Sequence, residues 1–250
     1  MDHTRTPAAR RWLLLFVLLA LLAEVLLITA LRPHGSANIV ALELAPSADA
    51  FTRIVQRDWT QDASTVQAEP LCGLGLPHTV QATPRTSLGK LRCNLALDSL
   101  ALVPGYVGLL LIFTLGLLPR GTGRQRRLAW CLPAIAAGAA DLLENGLTLQ
   151  ALALLGQPEL GDGLIGAVRG ASQAKWLLLA VALAALGHLL WHTPAAGATL
   201  RRIAALACAT AALALPLGAW WWQGTLGLGM AAMAMAFALL AWTFAAAGRG

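Results

Sequence analysis

The sequence predicts an all-α, polytopic membrane bundle of about six transmembrane helices, and three observations support this fold class. First, 58% of the 250 residues are hydrophobic and 12% are charged, whereas soluble domains carry roughly a quarter charged residues. Second, apolar stretches of about 20 residues recur, which is the helical length that crosses a ~30 Å hydrocarbon core. Third, the basic residues collect between alternate stretches, as in the cytoplasmic loops of membrane proteins.

Six stretches are long and apolar enough to be spans: residues 12–31, 96–118, 129–153, 173–191, 203–222 and 226–246. Arg10 and Arg11 precede the first stretch, so a cleaved signal peptide is the alternative there. A signal core is about 7–15 residues long, whereas this run is longer and contains Glu24. An uncleaved membrane anchor is therefore the preferred interpretation.

The charge distribution predicts that both termini lie in the cytoplasm. The proposed inside segments (1–11, 119–128, 192–202 and 247–250) hold ten basic residues and one acidic residue. The proposed outside segments (32–95 and 154–172) hold seven of each. This asymmetry across an even number of spans follows the positive-inside rule, and it favours a bacterial inner membrane. The basic loop is expected to contact anionic lipid rather than nucleic acid, in spite of the net charge of +6.

The outside segment 32–95 is predicted to contain one short amphipathic helix. Ser47 is a suitable N-cap residue, and four apolar residues follow it at helical spacing. They are Phe51, Ile54, Val55 and Trp59. We expect this helix to lie on the membrane or to cap the bundle, and the Gly- and Pro-rich stretch from Glu69 to Lys90 to be irregular.

Two cysteines in the outside segment, Cys72 and Cys93, are predicted to form a disulfide. An oxidising compartment would permit the bond, and closing a loop of this size stabilises by ~3 kcal/mol in the chain-entropy model. The alternative is two free thiols in a cytoplasmic loop, which requires an inverted topology. Cys131 and Cys208 lie within spans and are expected to be small packing residues.

A set of polar side chains falls inside the predicted spans and forms the candidate site. The set comprises Glu24, Asp98, Tyr106, Asp141, Glu144, Asn145 and Lys175. Each charge at membrane depth costs roughly 2.5–3.5 kcal/mol on insertion scales. Asp141, Glu144 and Asn145 stand at i, i+3 and i+4, so they share one helix face. These groups therefore need partners, water or a function.

The predicted depths agree across four spans. At a rise of ~1.5 Å per residue, the residues that fall in the outer half of the membrane are Glu24, Asp98, Asp141, Glu144, Asn145 and Lys175. The acids and Lys175 cannot all be ionised and unpaired in a low-dielectric medium. Individually, Glu24 and Lys175 could snorkel to the surface and Asp98 could begin a helix at the interface. The Asp141 group could instead form a structural network with Lys175. A Mg²⁺ or Ca²⁺ ion is chemically admissible there, but no ligand spacing predicts a metal or a cofactor.

Several of these residues fall in motifs that resemble an uncharacterised family of bacterial multi-pass membrane proteins. The similar segments are Leu42-Glu43-Leu44-Ala45, the Phe51–Trp59 helix, Leu97-Asp98 with Tyr106, Asp141-Leu142-Leu143-Glu144-Asn145 and Ala174-Lys175. They extend over about residues 40–190, and the Cys72 to Cys93 region departs from the usual pattern. The resemblance implies a helical bundle with a shared polar site, and it implies no activity.

Three classes of function stay open at the level of sequence. The first is binding or transport of a small molecule, lipid headgroup or proton through the polar set. The second is a structural or assembly factor that contacts another envelope protein or a second copy of the chain. The third, less favoured, is an enzyme acting on a lipid-linked substrate with Asp141 or Glu144 as general acid or base. The lipid bilayer is the partner common to all three.

Overall fold

A computed structural model describes residues 39–60, 86–119, 121–192, 198–221 and 224–246, and these residues are almost entirely helical. The predicted all-α class is confirmed for this part of the chain. The helices are α1 (Ile39–Glu43), α2 (Ala48–Asp58), α3 (Leu88–Leu97), α4 (Val103–Leu117), α5 (Arg124–Ala153), α6 (Asp162–His192), α7 (Ala198–Trp220) and α8 (Gly224–Ala246). One π-helical turn, Asp98–Leu102, joins α3 to α4. Two short parallel strands, β1 (Trp59–Thr60) and β2 (Thr86–Ser87), pair with each other.

Within the described residues, four helical stretches are long and apolar enough to cross a membrane: Asn94–Leu117, Asp162–His192, Thr199–Trp220 and Gly224–Thr243. They identify the chain as a membrane protein. The predicted span 129–153 lies in α5, which is helical but is not among these four stretches, so six spans stay a prediction. The predicted first span and Glu24 lie outside the described residues, as does Cys72. The side chain of Cys93 is likewise undescribed, so the disulfide stays a prediction. Cys131 and Cys208 are buried free thiols.

Helix ends differ from the ends of the predicted spans. The predicted outside loop 154–172 is helical from Asp162 onward, and the predicted second span is preceded by a helix that begins at Leu88. Lys175 consequently lies well inside α6 instead of near its start. The physical reason is that hydropathy marks only the apolar part of a helix, whereas backbone hydrogen bonding continues into its polar ends.

The chain divides into two compact units, which we name by their charge. The acid-bearing unit contains the described residues up to Val103 together with Ala140–Ser172. The other unit contains Pro104–Ala139 and the described residues from Gln173 onward, and we call it the acid-free unit because its described residues include no Asp or Glu. All eight acidic residues of the described chain fall in the acid-bearing unit: Glu43, Asp49, Asp58, Asp98, Asp141, Glu144, Glu159 and Asp162. The two units therefore differ in chemistry as well as in sequence.

A hydrophobic core holds the acid-bearing unit together. It joins α1, α2, α3, α5 and α6 through ten buried side chains: Leu42, Ala45, Phe51, Val55, Trp59, Leu91, Leu95, Ala151, Leu152 and Ile165. Trp59 is in register with Thr86 across the two strands. The apolar stripe expected on α2 thus supplies Phe51 and Val55 to this core.

Two hydrogen bonds fix the start of α2. The hydroxyl of Ser47 accepts from the backbone N–H of Ala50 at 3.2 Å, which is the capping role that the sequence predicts. The N–H of Ala48 donates to Oδ1 of Asp162 at 2.7 Å. Because helix N-termini favour negative charge, Asp162 links α2 to the beginning of α6. Whether α2 lies outside the membrane stays a prediction.

Close antiparallel packing organises the acid-free unit. On α6, Gln173 donates to the carbonyl of Ala219 at 3.5 Å. A Cβ atom added to Gly187 on the same helix would lie 3.2 Å from the carbonyl oxygen of Ala205. Both contacts have the same antiparallel register, so the last turn of α6 lies beside the first turn of α7. Phe113 and Phe237, at a ring separation of 6.0 Å, connect α4 with α8.

Gly218 permits the close approach of α7 and α8, and its replacement is expected to destabilise the protein. A Cβ on Gly218 would lie 2.7 Å from the backbone nitrogen of Leu226. Because a backbone atom cannot rotate away, Gly218→Ala should lower the free energy of unfolding by about 2 kcal/mol. Equilibrium unfolding of the full chain in detergent measures this change.

Gly227→Ala is the matched control, since a Cβ there meets no described atom within 4 Å. Alanine exceeds glycine in helix propensity by roughly 0.8–1 kcal/mol, so this variant should be as stable as the wild type or more stable. Equal destabilisation by both substitutions would contradict the tight α7–α8 contact.

Candidate functional site

One face of α5 carries consecutive buried polar side chains. Asp141, Glu144, Asn145 and Thr148 recur at spacings of three and four residues, so they form a stripe along the helix. Asp141 is 5% exposed and Glu144 is 0% exposed. The same stripe continues into the hydrophobic core at Ala151 and Leu152. The predicted triad is therefore buried, and it extends one residue further than the sequence motif.

Asn145 connects this stripe to the π-helical turn. Its Nδ2 donates to Oδ2 of Asp98 at 2.6 Å and to the hydroxyl of Ser99 at 3.2 Å. Within the turn, the N–H of Val103 donates to the carbonyl of Asp98. Single π turns occur frequently at functional sites. The structure thus brings together two predicted site residues, Asp98 and Asn145, that are 47 positions apart.

A second polar contact joins α1 to α6. The buried hydroxyl of Ser172 donates to Oε2 of Glu43 at 3.3 Å. Ser172 follows Ile165 by two turns on α6, and Glu43 directly follows Leu42 on α1. Ile165 and Leu42 both belong to the hydrophobic core. The Ser172–Glu43 contact therefore lies on two helices, α6 and α1, that also contribute residues to the hydrophobic core.

We group these side chains under one name, the polar layer, because each lies on, or directly after, a helix that also supplies the hydrophobic core of the acid-bearing unit. The layer consists of Glu43, Asp98, Ser99, Asp141, Glu144, Asn145, Thr148 and Ser172. In the π-helical turn, Asp98 and Ser99 follow the core residue Leu95 of α3 by one turn. On α5, Thr148 precedes the core residue Leu152 by one turn. At ~1.5 Å per residue, the polar residues lie within about 15 Å of a core residue along each element.

The composition of the polar layer determines what it can bind. Four of its eight members are carboxylic acids, and the other four offer amide or hydroxyl groups. Carboxyl groups among such partners can take up and release protons, or accept hydrogen bonds from a ligand. Within the described residues, no group of three or more His, Cys, Asp or Glu side chains could hold a metal ion.

Two other predicted site residues belong to the acid-free unit. Tyr106 on α4 is buried. Lys175 on α6 is also buried, and its Nζ lies 4.8 Å from the ring centroid of Trp176. A cation over an indole face is attracted by the ring quadrupole. The expectation that Lys175 neutralises one of the acids stays a prediction, and so does the place of Glu24.

The sequence interpretation missed four members of the polar layer: Glu43, Ser99, Thr148 and Ser172. Thr148 could have been found, because it follows Glu144 by four residues on the same helix face. Glu43 was counted among outside acids, although its apolar neighbours Leu42 and Leu44 indicated partial burial. The two serines carried no signal, since a serine in a helix is equally consistent with many environments.

The site can also be compared with known proteins. No family model, curated protein or solved structure matches the chain. The resemblance to a bacterial membrane family consequently stays a prediction, and the chemistry of the polar layer has to be argued from its geometry.

Proposed function

We propose that this chain is a multi-pass protein of the bacterial inner membrane that binds and releases protons at its polar layer. In this proposal six spans cross the membrane, both termini are cytoplasmic, and the polar layer lies in the outer half. The protein then belongs to the binding or transport class. In a protein of this class, the uptake or release of a proton by a buried acid can be coupled to the binding of a small ligand.

The observation that carries this proposal is the burial of Glu144 next to Asp141 on one helix face. Glu144 is 0% exposed, and its neighbours on the stripe are Asp141, Asn145 and Thr148. An isolated ionised carboxylate is very costly in an apolar medium, so it has to be neutralised or partnered. In either state, adding or removing a proton changes the hydrogen bonding of the layer. Acids within membrane segments are functional candidates for this reason.

The opposite face of α5 supports its assignment as a span. That face exposes large apolar side chains: Leu128, Leu132, Ile135, Leu142 and Leu143. Contiguous exposed apolar surface suits contact with lipid chains. The proposal thus gives α5 one face toward lipid and one face that carries acids into the protein interior.

Infrared difference spectroscopy tests whether Glu144 exchanges a proton. The full chain, reconstituted in lipid, is compared between acidic and mildly alkaline pH, with the carbonyl stretch of protonated carboxyl groups as the signal. Glu144→Gln should remove a component of this signal, and Asp141→Asn should shift or remove another. Both variants should stay folded, because an amide retains the shape and the hydrogen-bonding capacity of the acid.

Glu159→Gln is the matched control, since Glu159 is exposed at the end of the α5–α6 loop. This variant should preserve the buried-carboxyl signal. Folded Glu144→Gln and Asp141→Asn proteins with unchanged difference spectra would refute proton binding at the polar layer.

A structural or assembly role is the second candidate, and the two interhelical contacts favour it. Asn145 joins α5 to the π-helical turn, and Ser172 joins α6 to α1. Buried polar groups can fix helix register, although this role is not universal. Loss of folded protein in Glu144→Gln and Asp141→Asn, with no buried-carboxyl signal in the wild type, would favour this role.

A further inference from the structure

We propose that a groove between α6 and α7 in the acid-free unit binds an anionic phospholipid. An acyl chain would lie in the groove, and the phosphate would lie at its basic end. This inference is independent of proton binding, because it uses none of the residues of the polar layer.

The groove has a volume of about 420 Å³ and lies between two helices that are apolar enough to span the membrane. Small residues form its floor, chiefly Gly187 on α6 and Ala205 and Ala209 on α7. Leu206 and Leu213 form an edge and are 58% and 69% exposed. A groove bordered by exposed leucines on spanning helices opens toward lipid chains. An acyl chain is therefore the apolar occupant that this surface fits.

One end of the groove is polar and basic. His188, Trp191 and His192 line it on the last turns of α6. The antiparallel register places the first turn of α7, with Arg201 and Arg202, beside these residues. The guanidinium carbon of Arg202 lies 5.9 Å from the ring centroid of Trp191. Indole and arginine side chains together are typical of the level of the lipid headgroups.

The described residues of this unit include no acidic side chain that could balance the basic end. Residues 104–139 and 173–250 contain no Asp or Glu. Nε and Nη1 of Arg201 are buried and have no hydrogen-bond partner among the described residues. Trp130 stacks with His188 at a centroid distance of 6.1 Å, which brings the basic start of α5 to the same end. That start carries Arg124, Arg126 and Arg127.

Charge complementarity thus selects an anionic partner, and the apolar groove selects one that carries an acyl chain. A phospholipid with a net negative headgroup satisfies both requirements. A zwitterionic lipid satisfies only the second requirement, and inorganic phosphate satisfies only the first. Basic pockets between spanning helices on the cytoplasmic side are known to bind anionic headgroups.

Native mass spectrometry of the detergent-purified full chain tests the proposal. Phosphatidylglycerol and phosphatidylcholine with identical acyl chains are titrated separately, and inorganic phosphate is added as a competitor. The wild type should bind phosphatidylglycerol more tightly. The double variant Arg201→Gln/Arg202→Gln should lose roughly fivefold in affinity for each arginine, or about 25-fold for the pair, because each basic residue contributes ~1 kcal/mol near an anionic surface. Ala209→Phe, which fills the groove, should weaken binding of both lipids.

Two control variants keep the result interpretable. Arg201→Lys/Arg202→Lys preserves the charge and should preserve most of the preference for phosphatidylglycerol. Arg53→Gln removes an exposed arginine of the acid-bearing unit that pairs with Asp49, and it should have no effect. Equal binding of the two lipids to the wild type would overturn the proposal. It would also be overturned if phosphate displaced phosphatidylglycerol completely while Ala209→Phe bound it normally. If the glutamine double variant does not fold, the proposal is still tested by two measurements. They are the comparison of phosphatidylglycerol with phosphatidylcholine on the wild type and the binding of both lipids to Ala209→Phe.

Discussion

Replacing Phe51 with alanine is expected to lower the free energy of unfolding by about 3–5 kcal/mol. Phe51 is 0% exposed and lies in the hydrophobic core with Val55 and Leu152. Truncation removes its transfer free energy and leaves a cavity that the surrounding helices fill only in part. Equilibrium unfolding of the detergent-solubilised full chain measures the loss.

Leu100→Ala is the control for this substitution, because Leu100 is 78% exposed. It should change the stability by less than about 0.5 kcal/mol, as is usual for surface positions. A Phe51→Ala protein as stable as the wild type would mean that α2 does not pack on the core. The short α2 helix would then contribute nothing to the acid-bearing unit.

Replacing Asn145 with leucine is expected to cost about 3 kcal/mol. The substitution removes the Nδ2 donor from both the carboxyl group of Asp98 and the hydroxyl of Ser99. Losing a partner of a partly buried charged group costs more than losing one of a neutral group, because the remaining group keeps its desolvation penalty. The same unfolding measurement is used, with Gln150→Leu as the control. Gln150 is an exposed amide on the same helix, so its loss should change stability little.

A double-mutant cycle separates the Asp98–Asn145 interaction from the individual costs. Asp98→Leu/Asn145→Leu removes both partners, so it should destabilise by clearly less than the two single variants added together. Additive costs would show that the 2.6 Å contact contributes no coupling energy. The Asp98–Asn145 hydrogen bond would then not stabilise the packing of α5 against the π-helical turn.

The two proposals can be refuted independently, because proton binding depends on acidic residues and lipid binding depends on basic residues of the other unit. Proton binding depends on Asp141 and Glu144 in the acid-bearing unit. Lipid binding depends on Arg201 and Arg202 in a unit whose described residues include no acid. A variant of one site that alters the readout of the other would reveal coupling between the sites through the protein.

Features that depend on neighbouring residues can be predicted from the amino-acid sequence. The membrane class follows from composition and from the length of the apolar runs. The N-cap of α2 at Ser47 and the shared face of Asp141, Glu144 and Asn145 follow from helical geometry, which repeats every 3.6 residues. Such patterns can be identified without knowing what a helix packs against.

The pairing of polar groups on different helices becomes visible in the folded protein. Ser172 and Glu43 are 129 positions apart, and Asn145 and Asp98 are 47 apart. Such contacts depend on the relative register of packed helices, which the local hydrophobic pattern does not specify. The division into units, which cuts across α5 and α6, likewise assigns the described acids and Arg201 to different units. The physical reason is that helix periodicity is a local property, whereas the partner of a buried polar group is chosen by the packing of the whole unit.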